Sequence, residues 1–432
     1  MKLNSTTLYE RLANEEDARA CMGISDSACK EVPGNFFRIL VSQLCSKLAD
    51  SFSSSKVVLP WLLTSAGAPA FFIALLVPIR ESGSLIPQLV LGGIVRQFQC
   101  RKQFYVVGSL LQGAAVTLIA VSALHLNGVQ FGWTIIALLI IFSLSRGLCS
   151  IASKDVLGKT VPKARRGRLG GLSASLSGII TLLVTGGMLV YQDTSMNFLV
   201  VMLVFASLCW LFAAISFGSV VEYPGATEGS ENGFQVALKN LNLLRIDAQF
   251  RRFMMVRALL MSSGLAAPFI VLLATPHAGL GGVLLFVILT GVANLVSGMF
   301  WGVLADRSSR YVLLLTAVLS VGIFVIATIF QTTIEPRVSS MVVLFVYLLL
   351  YFLLAIIHQG VRLGRKTYLI DMADGNQRTD YVSVSNTVIG LLLLVYGSIS
   401  AIAAQWNMTA VLVLFSISSA TALFMALKLR EV

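Results

Sequence analysis

The chain has 432 residues, of which 56% are hydrophobic and only 12% charged, with a mean hydropathy of +0.85. A soluble chain carries about twice that charged fraction, so a soluble enzyme or binding module is excluded and the length divides into membrane spans. The net charge of +12 sits in short loops between apolar runs, which points to membrane topology and not to nucleic acid.

Residues 1–35 read as a polar tail with Glu10, Glu15, Glu16 and Asp17 and no apolar core of a signal peptide. Apolar runs follow at 36–64, 69–95, 103–124, 131–153, 171–191 and 196–217. After a polar stretch at 218–251 they resume at 252–275, 279–304, 310–331, 340–361, 381–403 and 407–428. Each is about 20 residues or longer, the length that crosses ~30 Å of hydrocarbon as a helix. The expected fold is all-α and integral to the membrane, with twelve helices. The loops holding Arg101 and Lys102, Lys163 to Arg168, Arg251, Arg307 and Arg310, Arg365 and Lys366 lie on one side of it. The bias of positive charge predicts both termini and the central stretch on the cytoplasmic side. The six cysteines are scattered without a CxxC spacing and read as free thiols, with neither a disulfide frame nor a metal site.

Span 1 carries Gln43, Lys47, Asp50 and Ser54 at spacings of four, three and four, a single stripe of a helix. Span 2 carries Arg80 beside Glu81, level with that stripe. A charge at such depth costs roughly 2.5–3.5 kcal/mol on insertion scales and needs a partner or a wet cavity. Neighbours in sequence point about 100° apart on a helix, so Arg80 and Glu81 need different partners, and Arg80–Asp50 and Glu81–Lys47 are the expected pairs. The same residues also fit a static network between spans 1 and 2. Lys56, nearer the outer end, reads as a snorkelling side chain. With Arg146 of span 4, three cations stand against Asp50 and Glu81, an excess of one that suits an anionic or zwitterionic solute.

The second half offers mostly neutral polar groups: Ser262, Ser263, Asn294, Ser297, Asn386 and Tyr396. Asn294 and Ser297 share a face of span 8 and read either as cavity lining or as interhelical hydrogen bonds. His358, Gln359, Arg362, Arg365 and Lys366, at the inner end of span 10, read as topology-setting charge, with a gate formed with Asp371 and Asp374 as the alternative.

The halves, 36–217 and 252–428, share features at an offset of about 210 residues: Arg168, Ser173 and Ser175 open span 5 as Arg378, Ser383 and Ser385 open span 11. Two parallel six-helix repeats place a substrate site between them near the midplane. The loop after span 8 holds Gly302, Asp306, Arg307 and Arg310 at motif positions, with Ser309 in place of a second glycine and Tyr311 in place of a final basic residue. In the loop after span 2, Gly93, Arg101 and Lys102 match, while Gln97 and Cys100 depart from the pattern. These residues, the twelve spans and the central stretch resemble the major facilitator superfamily of secondary transporters, whose loop motif reads G-x-x-x-D-R-x-G-R-K.

The resemblance implies a cytoplasmic gate at Gly302, Asp306, Arg307 and Arg310, in which Asp306 latches against the start of a helix in the other half. It also likens Arg146 to the family's span-4 arginine, linked with proton coupling, whereas the glycine-rich motif of span 5 in proton antiporters is not recognisable here. The resulting expectation is a transporter of a small anionic or zwitterionic organic solute, working by alternating access. Lys47, Arg80, Arg146, Asn294 and Asn386 bind the solute, and Asp50 and Glu81 carry the proton. A lipid flippase on the same fold, or a non-transporting membrane sensor, stays open. No cofactor and no enzymatic motif are expected; the partners are the solute, protons and membrane lipids. The expected location is a bacterial inner membrane, as a monomer.

Overall fold

The computed structural model describes residues 29–87, 91, 94–95, 97–190, 196–224, 241–278, 282–372 and 377–431. The acidic tail, Gly93, Asp374 and most of the central stretch lie outside them, as do the side chains of Asp306, Arg378 and Ser383. The described chain is helical, and its apolar runs fold into twelve spans. These are α1 (Val32–Phe52 and Val58–Ser65), α2 (Ala70–Leu85), α3 (Lys102–His125), α4 (Gly128–Thr160), α5 (Lys163–Val190) and α6 (Met196–Gly218). The second half holds α7 (Ala248–Leu259, Ser262–Leu265 and Ala267–Ala274), α8 (Gly282–Arg307), α9 (Ser309–Ile329), α10 (Ser340–Met372), α11 (Gln377–Trp406) and α12 (Met408–Ala426).

Nine helices among the described residues are long and apolar enough to cross a bilayer. α1 breaks at residues 53–57. There the Ser53 hydroxyl donates to the Ala49 carbonyl at 2.7 Å and the Ser54 hydroxyl accepts from the Lys56 amide at 3.2 Å. Hydroxyl-to-backbone bonds of this kind compete with the helical ladder. α7 is interrupted at the corresponding height, with Pro268 opening its last piece. Leu118, Phe212, Ile326 and Phe424 are exposed on the rim of the bundle, a surface made for lipid. The chain is a multi-pass integral membrane protein.

Within the first half α3 packs on α4 and α6, and α1 on α6; within the second, α9 packs on α10 and α12, and α8 on α10. The halves meet along two seams, α2 with α11 and α5 with α8. At the first, Gly397 and Gly390 let the helices approach: a Cβ on Gly397 would stand 2.0 Å from Pro78 Cγ, and one on Gly390 2.7 Å from Ile86 Cγ1. The Ser82 hydroxyl donates to the Gly390 carbonyl at 2.7 Å across the same seam. Small residues at the contact are how membrane helices come this close.

Cys45, Cys100, Cys149 and Cys209 are free thiols. Cys29 is disulfide-bonded, which corrects the expectation of six free thiols. Pairing depends on Cα atoms lying within about 7 Å, which linear spacing does not report.

Candidate functional site

A cavity of about 960 Å³ lies between the halves, lined by α1, α2, α4 and α5 from one and by α7, α8, α10 and α11 from the other. On the side away from the basic loops it is closed by apolar packing. Trp61 of α1 and Phe286 of α8, both fully buried, pack at a tilt of 53° with centroids 5.9 Å apart. A Cβ on Gly282 would sit 2.9 Å from the Trp61 ring.

In the first half one carboxylate holds two guanidinium groups. Arg80 Nη2 lies 2.7 Å from Asp50 Oδ1, and Arg146 Nη2 lies 2.6 Å from Asp50 Oδ2. Arg80 Cζ sits 4.4 Å over the Phe142 ring and Arg146 Cζ 5.5 Å from the Trp210 ring, so each cation has an aromatic face as well as a charge. Arg146 also donates to the Ser46 hydroxyl at 3.0 Å. The expected Arg80–Asp50 pair is present, and Arg146 completes a triad across α1, α2 and α4 that keeps one net positive charge.

Lys47 does not meet Glu81. Its ammonium donates to the Ser173 hydroxyl at 2.7 Å and to the Gly170 carbonyl at 3.5 Å, and Ser173 in turn donates to Gln43 at 3.0 Å. These bonds tie the α1 stripe to α5. Glu81 instead faces the second half, exposed to the cavity. Its carboxylate makes no hydrogen bond and no ion pair within 4 Å among the described residues. The charges that act on it are Lys56, Arg80, Arg362 and Arg365.

The second half is charged at the cavity, not mainly neutral. His358, Arg362 and Arg365 recur at spacings of four and three along α10 and all line the void. His358 Nε2 lies 3.2 Å from the Lys56 ammonium, and its Nδ1 3.0 Å from the Ser263 hydroxyl. An ammonium can only donate, so Nε2 accepts and Nδ1 carries the proton: the ring is neutral. Gly264 makes room for it, since a Cβ there would stand 2.6 Å from His358 Cε1. Lys56 is therefore a bridge between the halves, not a snorkelling side chain. Arg362 and Arg365 make no hydrogen bond or ion pair among the described residues. The 3.6-residue stripe was the signal in the sequence; adjacency to loop charge hid it.

Asn294 lines the cavity and accepts from Gln359. Asn386 stands apart from the lining and accepts from Arg257 at 3.4 Å. Arg257, which sequence reasoning missed, is buried on α7 and also donates to Ser385, with its Nε left without a partner. Around the cavity the count is six cations (Lys47, Lys56, Arg80, Arg146, Arg362 and Arg365) against Asp50 and Glu81, an excess of four.

Of the expected gate residues, Gly302 and Arg307 lie in the last turns of α8 and not in a loop; Gly302 has open space where a Cβ would be and Arg307 is exposed. Arg310 donates to the Leu427 carbonyl at 3.0 Å and pairs with Glu431 at 3.6 Å, within its own half. In the first half the acids come from α4 and from the segment after α6. Asp155 pairs with Arg101 and Lys159, and buried Glu222 pairs with Lys159 at 3.2 Å. The Glu222 carboxylate accepts from the backbone amides of Arg101 and Lys102 at 2.8–2.9 Å, capping α3 where orphan amides and the helix dipole favour an anion.

The Major Facilitator Superfamily model matches residues 39–359 of the chain. Among solved structures, a D-xylose-proton symporter superposes with a TM-score of 0.69 at 15% identity, covering 91% of this chain and 98% of that one. A nucleoside transporter gives 0.67 at 10% identity, over 91% and 99%. A POT family transporter in complex with a thioalcohol-conjugated peptide gives 0.66 at 10%, over 91% and 94%. At such identities the likeness shows the fold alone. No curated protein matches the chain.

Proposed function

The chain belongs to the Major Facilitator Superfamily, and from that premise we propose that it is a secondary active transporter of a small anionic organic solute, coupled to protons and working by alternating access. The observation that carries the reading is the cavity between the two six-helix units, 36–217 and 252–428, with four more cations than carboxylates facing it. In a medium of low dielectric, unpaired like charges repel strongly, and an anion relieves that cost only while it is bound. Lys47, Arg80 and Arg146 contribute from the first half, and Asn294 with Gln359 offers a polar contact from the second.

Glu81 is the proton carrier. Asp50 is committed to two guanidinium groups, whereas the Glu81 carboxylate is exposed to the void and unpaired, so that its charge answers to whatever occupies the cavity. Gly302, Asp306 and Arg307, in the last turns of α8, and Arg310, at the start of α9, form the cytoplasmic gate. The apolar closure at Trp61 and Phe286 supports a state closed outward, with both termini in the cytoplasm of a bacterium and the monomer as the working unit.

The test is thermal stabilisation of the purified protein against a metabolite library at acidic and neutral pH. Ligand at 100 times its Kd adds about 2.7 kcal/mol to stability. Uptake of the hit into proteoliposomes under an imposed proton gradient follows. Stabilisation by lipids alone, with lipid scrambling in vesicles, would replace solute transport with flipping.

A further inference from the structure

The charges of the cavity divide into two groups. The Arg80–Asp50–Arg146 triad is internally bonded on both carboxylate oxygens. The second group spans the seam between halves: Lys56 and Glu81 from the first half, Arg362 and Arg365 from α10, each within electrostatic reach of the others. No member of it has an ion pair within 4 Å among the described residues, and neither arginine has a hydrogen bond. With His358 neutral against Lys56, the group sums to two positive charges.

Resting on the transporter reading, we propose that the solute carries a doubly charged anionic group, which docks on Arg362, Arg365 and Lys56, with Glu81 as the charge that holds this place between cycles. The arithmetic favours two charges: a monoanion leaves the group at +1 in a low-dielectric cavity, and a dianion neutralises it with Glu81 still ionised. Donor geometry favours the same answer. Two planar guanidinium forks one turn apart on a single helix, with an ammonium opposite, present more donors than one carboxylate can accept. A phosphate monoester, with three acceptor oxygens, or two carboxylates on a short chain supply the missing acceptors. Because Arg362 and Arg365 belong to one half and Lys56 to the other, such a group also bridges the halves, which a ligand of the triad alone does not.

Calorimetric titration of the purified full-length protein with glucose 6-phosphate, malate and inorganic phosphate, against gluconate and glucose, tests this. A dianion is expected to bind at least tenfold more tightly than gluconate. Selectivity for the phosphates over malate, or the reverse, identifies the head group. Arg362→Gln and Arg365→Gln are each expected to weaken dianion binding at least tenfold, and Arg362→Lys to restore part of it. Glu81→Gln is expected to tighten it several-fold. Unchanged thermal unfolding in Arg362→Lys shows that the protein is folded. Gluconate or glucose binding as tightly as every dianion, no dianion binding, or unaltered affinity in both glutamine variants overturns the proposal. Transport of a neutral or singly charged solute would overturn it while leaving the transporter reading intact. A dianion that binds but never crosses a vesicle membrane would do the opposite.

Discussion

Lys47 in α1 and Arg257 in α7 stand 210 positions apart and make the same contact, each donating to a serine near the start of the fifth span of its own half, Ser173 and Ser385. The two units therefore repeat a cation-to-hydroxyl tie as well as a helix order. Among the described residues neither cation has a carboxylate within 4 Å, and each has a second neutral acceptor, the Gly170 carbonyl for Lys47 and the Asn386 side chain for Arg257.

Replacing Asp50 with Asn leaves Arg80 and Arg146 facing each other. Breaking one partner of a buried pair costs about 3–5 kcal/mol, and a value near the lower end is expected because the carboxylate is 24% exposed. Thermal unfolding checks it, and the double variant Asp50→Asn, Arg80→Gln is expected to recover part of the loss.

Arg80→Ala is expected to abolish transport while folded protein remains in the membrane, since Asp50 keeps Arg146 as partner. Uptake assays on membranes with matched protein content decide this. Normal uptake removes Arg80 from the solute site.

For Glu81→Gln the expected change is in coupling. Protonation of Glu81 removes its negative charge from the site, so wild-type anion binding strengthens as pH falls. The variant is neutral at every pH, so once the ligand's own ionisation is allowed for, its affinity is expected not to change between acidic and neutral pH, and uptake to ignore an imposed proton gradient.

Gly397→Ala places a Cβ 2.0 Å from Pro78 Cγ. Overpacking of this kind costs about 1–3 kcal/mol and separates α2 from α11. A several-fold fall in transport rate is expected, with a monodisperse protein on gel filtration. Gly186→Ala, which meets nothing within 4 Å, serves as the matched control.

At the basic end of α11 the buried Tyr381 hydroxyl donates to the Asp247 carboxylate at 2.9 Å. Tyr381→Phe removes this bond and is expected to be less stable by about 1 kcal/mol. Thermal unfolding measures it.

The twelve spans were legible because hydrocarbon thickness imposes one length on every run, and the Arg80–Asp50 pair because height along a helix can be counted. Azimuth cannot be counted. Lys47 and Glu81 share a level but point to different neighbours, one to α5 and the other across to α10, and only the arrangement of helices separates them. His358, Arg362 and Arg365 were lost for a related reason. α10 runs for 33 residues, longer than the bilayer needs, so charges that read as loop-side in the chain stand at the cavity. The breaks in α1 and α7 left no periodic signal, since serine and small apolar residues continue either helix or interrupt it.

The two seams limit how the molecule can move. α2 and α11 touch at Pro78 with Gly397 and at Ile86 with Gly390, and α5 and α8 at Gly178 with Leu295 and at Leu182 with Gly291. Bodies held along opposite edges tilt more easily than they part, like a seesaw on a beam. For the proposed transporter, spreading the halves at one face is then expected to press them together at the other, so the two seams themselves work against a continuous pore.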